Sequence, residues 1–130
     1  ITCGYSFADQ HVNEAILQGL RANALGRCFG LLFSDLDYSP EAVSQARRHA
    51  NLSLLAADGG ILGTVRRPWH SKDQNDHEFH GLAVSVGAMG ARTKAPDARC
   101  KFLLGDFGAF GAFLAEELSN RGDAEDAADA

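Results

Sequence analysis

The chain has 130 residues, of which 45% are hydrophobic and 22% charged, and its formal net charge is −5. This acidity argues against a nucleic-acid partner, because phosphate binding requires a basic patch. No apolar run approaches the roughly 18 residues of a membrane span, and no leader pattern is present, so we expect neither a membrane partner nor a signal peptide. The cysteines are odd in number and lack metal-site spacing, which favours a reducing, cytoplasmic compartment. They are Cys3, Cys28 and Cys100.

The first segment predicts a strand that passes directly into a helix. Residues 1–5 are a short apolar run, and Ser6 followed by Asp9 approximates a capping box with Ser6 as the N-cap. Apolar residues then recur at every fourth position, as on one helix face, until Gly26 ends the pattern. They are Val12, Ile16 and Leu20. Because the chain begins at Ile1, inside the predicted strand and without a methionine, we expect a fragment of a longer protein.

Two more apolar runs follow. Residues 28–34 are continuously apolar, which is typical of a parallel strand covered on both faces. A second helix is predicted to begin at Ser39-Pro40, with Ser39 as its N-cap and Pro40 at N1. Residues 52–57 form the next apolar run, and a strand-like piece follows at 61–65. The order strand, helix, strand, helix, strand predicts an α/β fold over residues 1–65, with a Rossmann-like three-layer parallel sheet.

The remaining segments are predicted to close the same domain. Residues 66–101 form a variable excursion of unknown structure. Residues 102–119 begin as a short apolar piece and continue, from Asp106 as N-cap, as a C-terminal amphipathic helix over 107–119 with an aromatic stripe that packs in the core. Residues 120–130 contain four acids and one base and predict a disordered acidic tail.

In an open parallel sheet, ligands bind at the carboxyl ends of the strands. Three predicted strand ends carry small or acidic residues: Gly4-Tyr5-Ser6, Ser34-Asp35 and Asp58-Gly59-Gly60. Gly4 permits a close backbone approach, and Ser6 with the N–H groups of the helix start can bind a phosphate. Asp35 suits a ribose hydroxyl pair, while Asp58 and Gly59 can line an adenine pocket. The same residue types are ordinary in turns and caps, so the pattern has two interpretations.

The first segment reads Gly4-Tyr5-Ser6-Phe7-x-Asp9-x-His11-x-Asn13. This resembles a motif of the bacterial sirtuin-like NAD-binding domains, including those of antiphage defence proteins, with Val12 in place of the family's Ile. The segment Leu104-Gly105-Asp106-Phe107-x-x-Phe110-x-x-Phe113-Leu114 resembles the end of such domains. The resemblance covers residues 1–65 and 102–119 and leaves residues 66–101 unaligned.

The resemblance implies that the ligand is NAD or an ADP-ribose-like nucleotide. Ser6 corresponds to the family serine at the ribose–phosphate region. By the same resemblance, the Ser34-Asp35 strand end falls at the adenosine ribose, and Asp58-Gly59 falls near the adenine. The motif residues Tyr5, Asp9 and His11 join this candidate site, and we expect His11 to orient the loop by a hydrogen bond.

The family's glycine-rich pyrophosphate loop has no counterpart in this chain. Fourteen glycines are present, yet none are separated by a single residue, so the chain contains no G-x-G. In the family that loop lies in the N-terminal half, together with the catalytic Asn and His. The resemblance therefore implies that this chain is a C-terminal part without a catalytic residue. Its parent protein would hydrolyse NAD at the nicotinamide–ribose bond, with an oligomer or a protein partner left open.

Three alternatives remain at this point. A non-enzymatic nucleotide-sensing or assembly module would bind a partner through its closing helix. Gly4-Tyr5-Ser6-Phe7-Ala8 is also similar to the serine-hydrolase elbow G-x-S-x-G, with Ser6 as nucleophile and Ala8 in place of the last glycine. A polar stretch has the residue types of a metal site, although its Ser, Lys, Gln and Asn are typical of a solvated loop. Its candidate ligands are His70, Asp73, Asp76, His77 and His80.

Overall fold

The computed structural model describes residues 1–69, 84–86 and 100–128. They form an α/β fold, as the sequence predicts, and the first three strands alternate with helices. In chain order the elements are β1 (Thr2–Cys3), α1 (Gln10–Ala22), β2 (Cys28–Leu31), a 3₁₀ helix (Leu36–Tyr38), α2 (Pro40–Ala46), β3 (Leu52–Leu55), β4 (Gly59–Leu62), β5 (Val65–Pro68), β6 (Val84–Val86), β7 (Cys100–Phe102) and α3 (Phe107–Ala128).

The first five strands form one sheet in the order β1-β2-β3-β4-β5. β1, β2 and β3 are parallel, while β4 and β5 each run antiparallel to their neighbours. The sheet is therefore mixed, and the prediction of a parallel sheet is wrong for its last two strands. The reason is connection length, because a parallel crossover needs about a dozen residues. Three residues join β3 to β4, and two, Gly63 and Thr64 at positive φ, join β4 to β5.

Both α1 and α2 pack against the same face of this sheet. Leu54 of β3 is aligned with Gly30 of β2 and with Ile61 of β4, so these three residues share that face. The expected three-layer arrangement is not confirmed. One continuous cluster joins this face of the sheet to the two helices. Its members are Phe7, Leu17, Leu20, Leu32, Leu36, Ala42, Ala46, Leu52, Leu54, Ala56 and Ile61.

α3 differs from its prediction in length and in burial. It ends at Ala128, so residues 120–128, expected within a disordered tail, are helical. Ala124, Ala127 and Ala128, together with Arg121 and Glu125, are good helix formers and favour this extension. Asp106 caps the helix as expected, since its Oδ1 accepts a hydrogen bond from the Ala109 N–H at 2.9 Å. The expected amphipathic, core-packed stripe is not confirmed, because several of its large apolar side chains are exposed. They are Phe107, Leu114 and Leu118.

Part of the predicted excursion at 66–101 is also described. All of β5 except Val65 lies within it, and β6 pairs antiparallel with β7 in a second, two-stranded sheet. The candidate metal ligands at positions 70–80 lie outside the described residues. Over the described part of the chain, no helix is long and apolar enough to cross a membrane.

Candidate functional site

The carboxyl ends of the three parallel strands lie side by side at one edge of the sheet. Cys3 of β1 is aligned with Leu31 of β2, which is aligned with Leu55 of β3. Backbone hydrogen bonds extend this alignment past the strands, because the Gly4 N–H donates to Leu31 and the Ala57 N–H donates to Ser34. The three segments that the sequence predicts as a ligand site are therefore neighbours.

The loop after β1 is held by Tyr5 and Asn13. The Tyr5 hydroxyl lies 2.9 Å from both the Asn13 Oδ1 and the Asp9 carbonyl oxygen, and the Asn13 Nδ2 donates to the Phe7 carbonyl oxygen at 2.8 Å. Phe7 is 2% exposed at a φ of +58°, and its ring lies 4.8 Å from the Tyr5 ring. Gly4 has a φ of +67°, which disfavours any side chain. Most of the motif thus fixes the shape of the loop.

Tyr5 is neutral at pH 7, since the ordinary pKa of a tyrosine phenol is about 10. Partial burial, with a smaller contribution from the Asp9 carboxylate, raises the pKa of the Tyr5 phenol above its ordinary value. Tyr5 therefore acts as a hydrogen-bond donor that positions the loop. The ring of His11 makes no hydrogen bond to any described residue, so Asn13, and not His11 as predicted, orients the loop.

The predicted N-cap of the first helix is wrong. Helix α1 begins at Gln10, and its N-cap is Asp9, whose Oδ1 accepts hydrogen bonds from the His11 and Val12 N–H groups at 2.9 and 3.1 Å. The turn at Phe7 separates Ser6 from the helix, which is why Ser6 does not cap it. The N–H groups expected to bind a phosphate are therefore occupied by a carboxylate. The Ser6 side chain is exposed and is the remaining candidate contact on this loop.

The same geometry disfavours a nucleophile elbow at Ser6. In an elbow the serine occupies a strained strand-to-helix turn and the helix follows at once. Here Ser6 is not among the loop residues with positive φ, which are Gly4 and Phe7, and α1 starts only at Gln10. The histidines that the sequence offers for such a triad lie at positions outside the described residues.

At the ends of β2 and β3, Asp58 fixes the start of the 3₁₀ helix. Its Oδ1 accepts a hydrogen bond from the Leu36 N–H at 2.8 Å, and its Oδ2 lies 3.3 Å from Arg66. Arg66 also contacts Asp37 at 2.7 Å, and this guanidinium lowers the pKa of the Asp37 carboxyl. Asp35, the N-cap of the 3₁₀ helix, makes no side-chain hydrogen bond to a described residue. Its half-buried carboxylate therefore has free acceptor positions.

Gly59 does not occupy the loop in which the sequence places it. It is the first residue of β4, it is buried, and its carbonyl oxygen accepts a hydrogen bond from the Ala56 N–H at 2.8 Å. Asp58 is likewise occupied by Leu36 and Arg66. The residues of the third strand end are thus held within the fold. Four of the predicted site residues keep side chains without a hydrogen bond to a described residue: Ser6, His11, Ser34 and Asp35.

A segment that the sequence analysis did not connect with the site crosses all three strand ends. The Phe102 N–H donates to the Ala57 carbonyl after β3, and the Cys3 Sγ donates to the Leu104 carbonyl at the end of β1. At the end of β2, which lies between these two strands, Gly105 is so close to the Leu32 carbonyl that a β-carbon on it would collide. Partial burial, and secondarily Asp106, raises the pKa of the Cys3 thiol. Residues 102–106 therefore form one wall of the site.

A separate cleft of about 470 Å³ lies between α1 and α2 on the helical side of the sheet. Its polar side chains bind one another, since Gln10 donates to Glu14 at 3.1 Å and Gln45 donates to Glu41 at 2.7 Å. Its wall also includes Phe7, Ala8, Asn13 and Leu17. The sequence gives no signal for this cleft, because it depends on the packing of two helices about thirty residues apart.

Comparison with known proteins adds no further constraint on the site. A scan against protein-family models finds no match to this chain, and a search of curated proteins finds none. Within residues 1–69 and the described part of 100–128, no group of three or more His, Cys, Asp or Glu side chains is arranged to hold a metal ion.

Proposed function

We propose that this chain is the C-terminal part of a sirtuin-like NAD-binding domain and binds NAD, or an ADP-ribose-like nucleotide, at the sheet edge. One observation carries the proposal. The Ser6 hydroxyl and the Asp35 carboxylate stand at adjacent strand ends, and neither side chain has a hydrogen-bond partner among the described residues. The motif resemblance supports the same edge, because residues 4–13 build the loop that presents Ser6.

In this proposal the nucleotide extends along the edge from β1 to β2. The Ser6 hydroxyl donates to an oxygen of the ribose–phosphate region, and the Asp35 carboxylate accepts hydrogen bonds from the adenosine ribose hydroxyls. Gly105 and its neighbours form the wall against which the ribose packs.

The proposal assigns the chemical step to a longer parent protein. Cleavage of the nicotinamide–ribose bond needs a group that activates water or stabilises the developing charge. In this proposal the residues at this edge bind the ribose and the phosphates, and by resemblance the catalytic Asn and His belong to another part of the parent. By resemblance, the parent is a cytoplasmic NAD hydrolase, with antiphage defence as its proposed setting.

Isothermal titration of the 130-residue chain with NAD, ADP-ribose and buffer alone tests the proposal. We expect both nucleotides to bind, with an affinity at least about fivefold lower in Ser6→Ala and in Asp35→Asn, since each variant removes one polar contact. Glu116→Gln, a charge removal on the exposed surface of α3, is the matched control and leaves the affinity unchanged. If neither nucleotide gives heat of binding, and circular dichroism shows that the chain is folded, the proposal is refuted.

The exposed side chains of α3 favour a second candidate, an assembly module. Phe107, Leu114 and Leu118 are all exposed, and their spacings of seven and four place them on one face of α3. If α3 binds a partner or a second copy, Leu118→Lys lowers the mass measured by light scattering and leaves nucleotide titrations unchanged. An unchanged monomeric mass in the wild-type chain and the variant excludes self-assembly through this helix.

A further inference from the structure

We propose that two copies of this chain associate by exchanging helix α3, so that α3 of each copy packs on an exposed apolar row of the other copy's five-stranded sheet. The inference does not depend on nucleotide binding. It rests on the assembly candidate and extends it, because it names the occupant, a second copy, and the surface that receives the helix.

The receiving surface lies on the face of the sheet opposite α1 and α2. Leu54 points toward these helices, so the residues on either side of it in each strand register point the other way. There Phe29 is aligned with Ser53, and Leu62 is aligned with Val65. Extending the printed registers by one residue joins these pairs and adds a residue of the first strand. We call this the outer row. Its large apolar side chains are 37–78% exposed: Ile1, Phe29, Leu62 and Val65.

The neighbouring part of the same face is covered by the chain itself. Leu31, the next residue of β2 on this face, is 5% exposed, and residues 102–106 cross the strand ends beside it. The Trp69 ring lies against Gly60, and its Nε1 donates to the Ala56 carbonyl at 2.7 Å. The exposed apolar area is therefore confined to the outer row, at the amino ends of the parallel strands.

Helix α3 presents an apolar surface of matching size. None of the residues 107–119 is buried, and Phe107, Leu114 and Leu118 form one stripe. From Phe107 to Leu118 this stripe is about 16 Å long at a rise of 1.5 Å per residue. The outer row crosses five strands that lie about 4.8 Å apart, which gives about 19 Å. The stripe can therefore cover most of the outer row.

The area favours a reciprocal exchange over the pairing of two α3 helices. At these exposures a large apolar side chain offers roughly 100 Å². Two stripes packed on each other would bury three such side chains per copy, or roughly 300 Å². An exchange buries the stripe and the outer row of each copy, or roughly 700 Å², which approaches the ~800 Å² per partner of a stable interface. A reciprocal contact also closes with twofold symmetry, so assembly stops at two copies.

The charges beside the two surfaces are complementary. Arg27 lies two residues before Phe29 and Arg67 two residues after Val65, so both arginines share the face of the outer row. Glu117 borders the stripe on α3, and in sequence this helix contains five acids and one base. Opposite charges at the rim of an apolar contact favour this pairing over one between two acidic helices.

Light scattering on the 130-residue chain and two charge variants tests the inference. We expect the wild-type chain to have twice the monomer mass of 13.9 kDa. Leu62→Lys in the outer row and Leu118→Glu in the stripe are each expected to reduce the mass to that of the monomer, because each variant damages both contacts of its own dimer. Val12→Lys, which changes an exposed apolar residue on α1, is the matched control and keeps the dimer mass.

An equimolar mixture of the two variants gives the sharpest readout. In a mixed dimer, one contact combines an intact helix with an intact row, and the other combines the introduced lysine and glutamate. We therefore expect mixing to restore the dimer mass. Circular dichroism confirms that each variant is folded, and Val65→Lys replaces Leu62→Lys if that variant unfolds.

The other outcomes overturn the inference. A monomeric wild-type chain excludes the exchange, including the case in which α3 folds back on its own sheet. Loss of the dimer in Leu118→Glu alone, with Leu62→Lys still dimeric, shows pairing between helices and leaves the assembly candidate standing. A mixture that stays monomeric shows that the two surfaces do not contact each other across copies.

Discussion

The buried side chain of Asn13 makes two of the hydrogen bonds that hold the loop after β1. Asn13 is 7% exposed, donates to the Phe7 carbonyl at 2.8 Å and accepts from the Tyr5 hydroxyl at 2.9 Å. Asn13→Ala removes both bonds. A typical hydrogen bond contributes about 0.5–1.5 kcal/mol, and leaving a buried carbonyl unpaired costs about 1–3 kcal/mol. Tyr5 keeps the Asp9 carbonyl as an alternative acceptor. We therefore expect a loss of about 2–3 kcal/mol in unfolding free energy.

Urea denaturation followed by circular dichroism measures this loss, which appears as a lower midpoint at an unchanged m-value. Gln10→Ala is the matched control on the same helix. The Gln10–Glu14 hydrogen bond is exposed, and such pairs contribute about 0.2–0.5 kcal/mol. If Asn13→Ala costs no more than Gln10→Ala, the loop is held by other contacts and the reasoning fails.

A double-mutant cycle with Tyr5→Phe isolates the bond between Tyr5 and Asn13. Residues in contact usually show coupling energies of about 0.5–3 kcal/mol. We expect about 1 kcal/mol here, because the lost bond is part-buried and one of its partners has a second acceptor. Strict additivity of the two single variants within about 0.3 kcal/mol contradicts a shared hydrogen bond.

Three further predictions test other parts of the edge. Gly105→Ala forces a β-carbon into the backbone after β2 and is expected to lower the free energy of unfolding by at least about 2 kcal/mol in the same urea assay. Gly111→Ala is its control in α3. The added β-carbon there meets open space, so this variant is expected to raise the free energy of unfolding by about 0.5–1 kcal/mol. Asp9→Ala is expected to lose about 1 kcal/mol of capping free energy, and Ser6→Ala to lose none; equal losses would restore the capping role to Ser6. The pKa of Asp37 is lowered in the folded state, so its ion pair contributes stability that is present above the ordinary pKa of 3.8 and is lost as the pH falls through the lower folded value. Asp37→Asn is therefore expected to flatten this acid limb of a profile of stability against pH. A variant profile parallel to that of the wild type would show that the ion pair contributes nothing.

The first three strands and their two helices could be predicted because local signals agree there. The continuous run that contains β2, and Pro40 at the start of α2, are both visible in the sequence. The direction of β4 also has a local signal, in the short connections on either side of it. The sequence-based prediction misses it because it assigns residues 58–60 to a ligand loop, whereas Gly59 and Gly60 continue the sheet.

The site could be predicted in part. Parallel pairing brings the three strand ends together, so their neighbourhood follows from the order of elements. The order of elements does not show which side chains at these strand ends lack a hydrogen-bond partner. Asp58 is occupied by Leu36 and by Arg66, and these partners lie 22 and 8 residues away in sequence. Asp35, by contrast, makes no side-chain cap hydrogen bond.

Residues 102–106 illustrate a second limit. Gly105 must be glycine because of its contact with Leu32, more than seventy residues earlier. Its own surroundings in sequence suggest only a turn before a capped helix. Contacts that depend on two distant backbones leave no periodic pattern, so no reading of local propensity finds them.

The motif at the start of the chain has two separable roles. Tyr5, Phe7, Asp9 and Asn13 satisfy one another within the loop and the helix cap, and any protein that needs this loop shape could retain them for that reason. The resemblance to sirtuin-like domains thus bears more strongly on backbone geometry than on NAD. Ser6 is different, since its exposed hydroxyl has no part in that network. A defect in nucleotide affinity from Ser6→Ala, at unchanged stability, would therefore identify ligand binding, whereas the same defect from Asn13→Ala would reflect only the displaced loop.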